Sequence, residues 1–159
     1  VDRDSRAGGG VVRVRCQAEA TVDEKGRLAL PAALRRAYDD AGIGALVLTH
    51  HQGAIWGFTP QDFEEKVEKP LSERDPFDHE VIDFTHALLA PAHDAEIDGA
   101  GRIRVPPHLR RLAGIERDVV LNSVVGRVEI WDRDRWEARF AESLQRTSAR
   151  SGLPRGGVG

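Results

Sequence analysis

A chain of 159 residues that is 40 % hydrophobic and 31 % charged can form one compact domain, or two small units sharing a core; it is not the composition of a disordered protein. Its net charge of −3 argues against a uniformly basic surface, so the distribution of charge matters more than its sum. The longest apolar runs, such as Ala45–Thr49 and Val119–Leu121, are far shorter than a membrane span, and no basic segment followed by an apolar one opens the chain, so membrane insertion and export are not expected.

The charge is segregated. Residues 1–36 hold eight Lys/Arg against five Asp/Glu, and residues 102–117 hold five against one, whereas residues 60–83 hold nine acids against three bases. The single cysteine, Cys16, has no internal disulfide partner, which predicts a reducing, cytoplasmic setting and a packing role in a strand.

In chain order, the Gly-rich, charged residues 1–10 read as a tail, and residues 1–16 as that tail plus the start of the first strand. Gln17–Val22 is a β-type run that meets Asp23-Glu24-Lys25-Gly26, a turn in which glycine can take a positive φ. Arg27–Leu30 alternates polar or small with apolar residues, as a half-buried strand does, and Pro31 stops it and suits the start of a helix over PAALRRAY. Two strands follow, turning near Gly53, and Thr59 is a good N-cap for a helix over Gln61–Lys69. Pro70–Pro76 separates this from a second linker helix, His79–Leu89.

The same grammar then returns. Thr21–Arg36 (TVDEKGRLALPAALRR) and Glu96–Arg111 (EIDGAGRIRVPPHLRR) align at an offset of 75, matching Asp23 with Asp98, Gly26 with Gly101, Arg27 with Arg102 and Pro31 with Pro106. The offset becomes 73 after a loop two residues longer in the first copy, and Val47-Leu48, Gly53, Phe58 and Phe63 then match Val120-Leu121, Gly126, Trp131 and Trp136. Gly114 is a plausible helix stop, and Asp132 an N-cap for the closing helix. Each copy reads β-β-α-β-β followed by a helix, and a unit of roughly 45 residues buries too little surface to stand alone, so the two are expected to share one small barrel. The divisions are 1–16, a first motif over 17–62, a helical linker over 63–91, a second motif over 92–135, a closing helix over 136–150, and a tail over 151–159.

Asp23-x-x-x-Arg27 and Asp98-x-x-x-Arg102 admit two readings. The pairs can simply bridge their own turns, an exposed contact worth about 0–1 kcal/mol. Alternatively, the carboxylate holds a guanidinium ready for phosphate or guanine edges, a geometry that suits arginine. Lys25 stands at the first turn tip where the second has Ala100, which favours the first hairpin as the leading contact; Arg13, Arg15 and Arg104 are each either solvated strand residues or phosphate contacts. Arg35-Arg36 and Arg110-Arg111 close the short helices and read as partners of helix dipole and solvent. Trp56, Trp131 and Trp136 read as core or interface residues.

These motifs resemble the MraZ family, whose members carry two SpoVT/AbrB-type motifs in one chain. The resemblance rests on DEKGRLALP and DGAGRIRVPPHLR, reinforced by VEIWDRDRWEA and LLAPAHDAEID, and covers roughly residues 13–145. It implies an α+β fold, a pseudo-two-fold swapped-hairpin β-barrel of two ββαββ repeats with flanking helices. It further implies a nucleoid-associated, ring-shaped homo-oligomer that binds repeated operators in double-stranded DNA. Through them it would repress its own promoter within a cell-division and cell-wall gene cluster. Arg27, Lys25, Arg102, Arg13, Arg15 and Arg104 are then the DNA-binding candidates, with Asp23, Gly26, Asp98 and Gly101 shaping the hairpins. The amino-terminal segment is longer and more Gly-rich than is usual in the family, and the closing helix runs early into a Gly/Pro tail.

Two rivals remain at this stage: an AbrB- or antitoxin-like module with a protein partner, and a ring-forming scaffold without a DNA role. No enzyme, cofactor or metal reading is supported. The adjacent His50 and His51 point to opposite strand faces, and His79, His86, His93 and His108 have no metal-ligand spacing.

Overall fold

A computed structural model describes residues 12–150 and 152–154. The tail reading of residues 1–10 falls outside the described residues, as does most of that of residues 151–159.

The first repeat supplies β1 (Cys16–Thr21), β2 (Arg27–Ala29), α1 (Ala32–Asp40), β3 (Ala45–His51) and β4 (Ala54–Phe58). The second supplies β5 (His93–Glu96), β6 (Arg102–Arg104), α4 (Pro107–Ala113), β7 (Asp118–Val124) and β8 (Arg127–Asp132). Between them, α2 covers residues 60–72, and α3 covers residues 79–89. The chain closes on α5, Arg133–Ser148.

Strand order carries the duplication into three dimensions. Six strands pair antiparallel in the order β1-β7-β8-β4-β3-β5, and β2 pairs with β6 in a separate ribbon. Each repeat's first strand has crossed to the other repeat: β1 pairs with β7, and β5 pairs with β3. At the centre, Trp56 lies opposite Glu129, its own counterpart at the offset of 73. In the ribbon Leu28 lies opposite Ile103, its counterpart at the offset of 75. The fold is therefore mixed α+β with an antiparallel sheet, as the alternation of the runs required. The expected barrel is not traced by these pairings, which leave β1 and β5 as sheet edges. The physical reason is that β2 and β6, only three residues each, pair with one another, while β2 is joined to the β1 side by the single bridge Val22↔Leu28.

Alternation on the strands produces the core. Leu46, Leu48, Ile55, Val119, Leu121, Val128 and Ile130 project from one sheet face and meet Leu28 and Ile103 from the ribbon and Leu34 and Leu109 from the short helices, all buried. Each such leucine or isoleucine contributes about 1.5–3 kcal/mol of burial. On the opposite face Val47 and Phe58 form a smaller cluster with Phe63 of α2, and the Thr49 hydroxyl donates to the Leu88 carbonyl of α3 at 2.7 Å.

Helix ends follow the expected caps. Thr59 accepts from the Asp62 N–H, Asp132 accepts from the Arg135 N–H, and Gly114 ends α4 with φ +65. One boundary differs: α2 does not stop at Lys69 but runs to Ser72, through Pro70. The turn before it, Glu64–Glu68, is π-helical, and this wider turn accommodates a proline that an α-helical turn would reject.

Candidate nucleic-acid interface

Both hairpin turns are built alike from the aspartate outward. Asp23 Oδ1 accepts from the N–H groups of Lys25 and Arg27 at 2.9 and 2.8 Å, and its Oδ2 accepts from Arg27 Nε at 2.7 Å. Asp98 Oδ1 accepts from Ala100 and Arg102 N–H at 2.9 Å each, and its Oδ2 accepts from Arg102 Nε at 3.0 Å. The glycine N–H of each turn donates to the aspartate carbonyl, at 2.9 Å in both, with φ +81 at Gly26 and +77 at Gly101. One carboxylate thus shapes the turn with one oxygen and aims an arginine with the other. The Arg27 N–H, helped by the Arg27 side chain and the Lys25 N–H, holds the Asp23 carboxyl below its ordinary value of 3.8 against desolvation; the Arg102 N–H heads the same set of effects on Asp98.

Each arginine hydrogen-bonds its aspartate through Nε, and among the described residues no Nη donor of Arg27 or Arg102 is hydrogen-bonded to that carboxylate, which leaves these donors for other acceptors. Strand register decides which face these arginines occupy. Arg27 lies opposite Arg104, and Ala29 lies opposite Arg102. Directly opposed residues share a face, and so do residues two apart on one strand, so Arg27, Ala29, Arg102 and Arg104 occupy one face of the ribbon. Leu28 and Ile103 occupy the other and are fully buried, so the arginine face is the solvent face.

The structure therefore brings Arg27, Arg102 and Arg104 together on the ribbon, with Lys25 exposed at the adjoining turn tip. It does not bring Arg13 and Arg15 to them. Both precede β1, whereas the hairpin follows it, and roughly 20 Å of extended strand separates Arg15 from Thr21. There Arg13 and Arg15 are exposed and alternate with Val12 and Val14, which pack against the core.

Sequence reasoning missed the reach of the short-helix arginines. Arg35 Nη2 donates to the Gly99 carbonyl at 2.7 Å, across to the other repeat's turn, and its side chain lies over Gly101. Arg110 Nε donates to the Val105 carbonyl at 3.1 Å, and its guanidinium lies over Gly26. These two are turn partners rather than solvated helix ends. The signal available was their recurrence at the same offset as the turn glycines. A second cluster also went unread: Glu129 accepts from Arg127 Nε and from Trp131 Nε1, at 2.8 Å each, while the Arg127 guanidinium sits 3.7 Å from the Trp56 ring centroid.

A ribbon of equivalent strands, one from each copy of a duplicated Asp-x-x-Gly-Arg hairpin, set on a sheet with exchanged edge strands, defines a duplicated-hairpin α+β protein. Comparison with known proteins gives that class a family. The sequence model described as "MraZ protein, putative antitoxin-like" matches residues 88–153. A protein named "Transcriptional regulator MraZ" from Thiobacillus denitrificans is 35 % identical over 127 residues, which are 80 % of this chain and 86 % of the relative. Proteins of the same name from Nitrosospira multiformis and Salinispora tropica are 34 % identical, covering 84 % and 77 % of this chain and 89 % and 83 % of the relatives. The chain belongs to the MraZ family.

Proposed function

We propose that this chain is a transcriptional regulator that binds duplex DNA through the solvent face of the β2–β6 ribbon. The observation that carries the reading is the alignment of Arg27, Arg102 and Arg104 on one exposed face, two of them aimed by aspartates. A two-stranded ribbon fits the major groove of B-DNA, and arginine pairs bidentately with guanine or phosphate. Lys25 extends the basic face at one end; Arg13 and Arg15, if they touch DNA, meet the backbone outside the ribbon's footprint. The name carried by the relatives agrees with regulation of transcription.

The finer reading follows the resemblance. The sheet and ribbon act as one swapped-hairpin unit, with motifs over 17–62 and 92–135, a helical linker over 63–91 and a closing segment over 136–150 that continues the helix begun at Arg133. The protein is a ring-forming homo-oligomer held with the nucleoid, and it represses its own promoter and the cell-division and cell-wall cluster. Several hairpins on repeated operators gain avidity from their effective concentration. Among the described residues no helix is long and apolar enough to cross a membrane.

A gel-shift assay on DNA from upstream of the chain's own gene tests this. Arg27→Ala is expected to lose about 1–3 kcal/mol of binding, with wild-type affinity falling steeply as salt rises. Undiminished binding by Arg27→Ala removes the ribbon from the interface. The words "antitoxin-like" in the matched family's description favour a second reading, a DNA-binding module that also holds a protein partner. A stoichiometric partner retained through purification from the native host would support it.

A further inference from the structure

One carboxylate in the core lacks the partners that burial demands. Asp62, in the first turn of α2, has a side chain only 3 % exposed, yet its Oδ1 is buried with no hydrogen-bond partner among the described residues. Lys66, one turn on, brings its Nζ to 3.9 Å from Oδ2, beyond hydrogen-bond distance, and is itself half exposed. An ionised carboxylate is costly to bury unless it is paired and hydrogen-bonded. Lys66 meets only part of that need.

Asp62 lines a cavity of about 10 Å³, the scale of one water molecule, where the two repeats meet. Tyr38 of α1 and Gly57 of β4 reach it from the first repeat, and Ser123, Gly126 and Val128 reach it from the β7–β8 hairpin of the second. Its hydroxyl and carboxylate side chains offer oxygen only. Arg127 also lines it, but that guanidinium is committed elsewhere, paired with Glu129 and stacked over Trp56. Burial, and after it the Asp62 charge, raises the Tyr38 hydroxyl above its ordinary value of 10, so it stays neutral and adds an oxygen without a second negative charge. The duplication supplies a comparison. At the offset of 73, Asp62 corresponds to Arg135, Lys66 to Arg139 and His50 to Ser123. Arg135 lays its guanidinium over Gly114 at the end of α4, and its charge is felt at His50. Where the second repeat places a cation on its own side chain, the first places a carboxylate beside a cavity.

We infer that this cavity binds a single monovalent cation of the sodium or potassium class, through the Asp62 carboxylate and the Tyr38 and Ser123 hydroxyls, and that the bound ion ties the two repeats together. Oxygen donors suit such hard cations. Calcium takes about six to eight oxygens, and magnesium needs an octahedron that usually includes several waters; one carboxylate in a cavity of this size provides for neither. No residue of the β2–β6 ribbon lines the cavity, so the site stands apart from DNA binding and does not depend on it.

Scanning calorimetry on the full chain tests the site, in sodium, potassium or N-methylglucamine chloride at equal ionic strength. N-methylglucamine is too large for the cavity and serves as the reference. In sodium or potassium the melting temperature is expected to rise by about 3–6 °C at about ten times the half-saturating concentration, and to level off as the site fills. Whichever of the two acts at the lower concentration is the ion the cavity selects. Asp62→Asn keeps the shape of the side chain without its charge and is expected to abolish the difference between salts. Equal melting temperatures in all three salts overturn the proposal and give the cavity to water. A difference that survives Asp62→Asn overturns it too, since the ions then act elsewhere on the chain. Should Asp62→Asn fail to fold, Tyr38→Phe takes its place. Removing that hydroxyl while keeping the ring is expected to raise the half-saturating concentration by about threefold or more, and an unchanged value overturns the proposal.

Discussion

Arg35 of the first repeat donates from Nη2 to the carbonyl of Gly99 in the second repeat's turn, at 2.7 Å, and so couples one repeat's helix to the other's hairpin. Arg110 returns the contact in a different form, bonding the Val105 carbonyl while its guanidinium covers Gly26. The exchanged strands therefore come with exchanged side-chain supports. Arg35→Ala is expected to destabilise the fold by about 1 kcal/mol, the usual net worth of such a hydrogen bond, read by urea denaturation. Operator affinity should fall while its salt slope stays that of wild type, because Arg35 supports a turn rather than neutralising a phosphate. A slope reduced by about 0.9 would instead identify Arg35 as a direct phosphate contact.

The aspartates make the hairpins sensitive to acid. Both carboxyls are held below 3.8 in the folded chain, chiefly by the N–H groups of Arg27 and Arg102. A group whose folded pKa is depressed adds stability that is present above its unfolded pKa and is lost as pH falls through the folded value. Stability contributed by Asp23 and Asp98 is therefore complete above about pH 5 and declines below about pH 4. Urea titrations between pH 6 and pH 3 should show a shallower decline for the double variant Asp23→Asn, Asp98→Asn than for wild type. Parallel curves would contradict the role given to these carboxylates.

How much of this was legible in the sequence depends on the kind of contact. The turns were, because Asp, Gly and Arg at fixed spacing leave few conformations open, and so were the caps at Thr59 and Asp132. The pairing of Leu28 with Ile103 was legible only as two equivalent strands; that they would meet each other depends on contacts from both repeats. Arg35 was misread because its partner, Gly99, lies 64 residues away and offers a backbone carbonyl, which every residue has. Pro70 reads as a helix stop because an α-helical turn rejects proline, and the π-helical turn that admits it leaves no mark in the periodicity. Arg13 and Arg15 looked close to the hairpin in sequence, yet a strand's length in space separates them from it.

The ribbon also invites a gain of function. Ala29 is the counterpart of Arg104 at the offset of 75, so one of four equivalent positions on the solvent face lacks its charge. Ala29 is exposed, so a longer side chain there meets solvent rather than core. Ala29→Arg is expected to tighten binding to DNA and to steepen the dependence of log K on log salt by about 0.9, one further phosphate neutralised. Arg104→Ala should shift both in the opposite direction. Fluorescence anisotropy across a salt series reads both changes, and an unchanged slope for the pair would place DNA elsewhere on the molecule.

Two glycines separate turn strain from steric conflict. Gly42 and Gly26 both have left-handed φ, +71 and +81. A methyl group at Gly42 meets nothing within 4 Å, whereas one at Gly26 stands 2.8 Å from the Val105 carbonyl oxygen, on the backbone of the partner strand's end. Gly42→Ala should therefore cost only the left-handed conformation, about 1–2 kcal/mol. Gly26→Ala pays that strain and must also push apart the junction where the Val105 N–H donates to the Gly26 carbonyl at 2.8 Å. Its loss of stability should be clearly larger, and it should weaken operator binding, because moving that junction moves Arg27 relative to Arg104. Thermal unfolding and anisotropy on the two variants give the comparison. Equal destabilisation, or a Gly26→Ala protein that binds operator as wild type does, would mean that the ribbon tolerates displacement at its turn and that its arginine register is not what DNA reads.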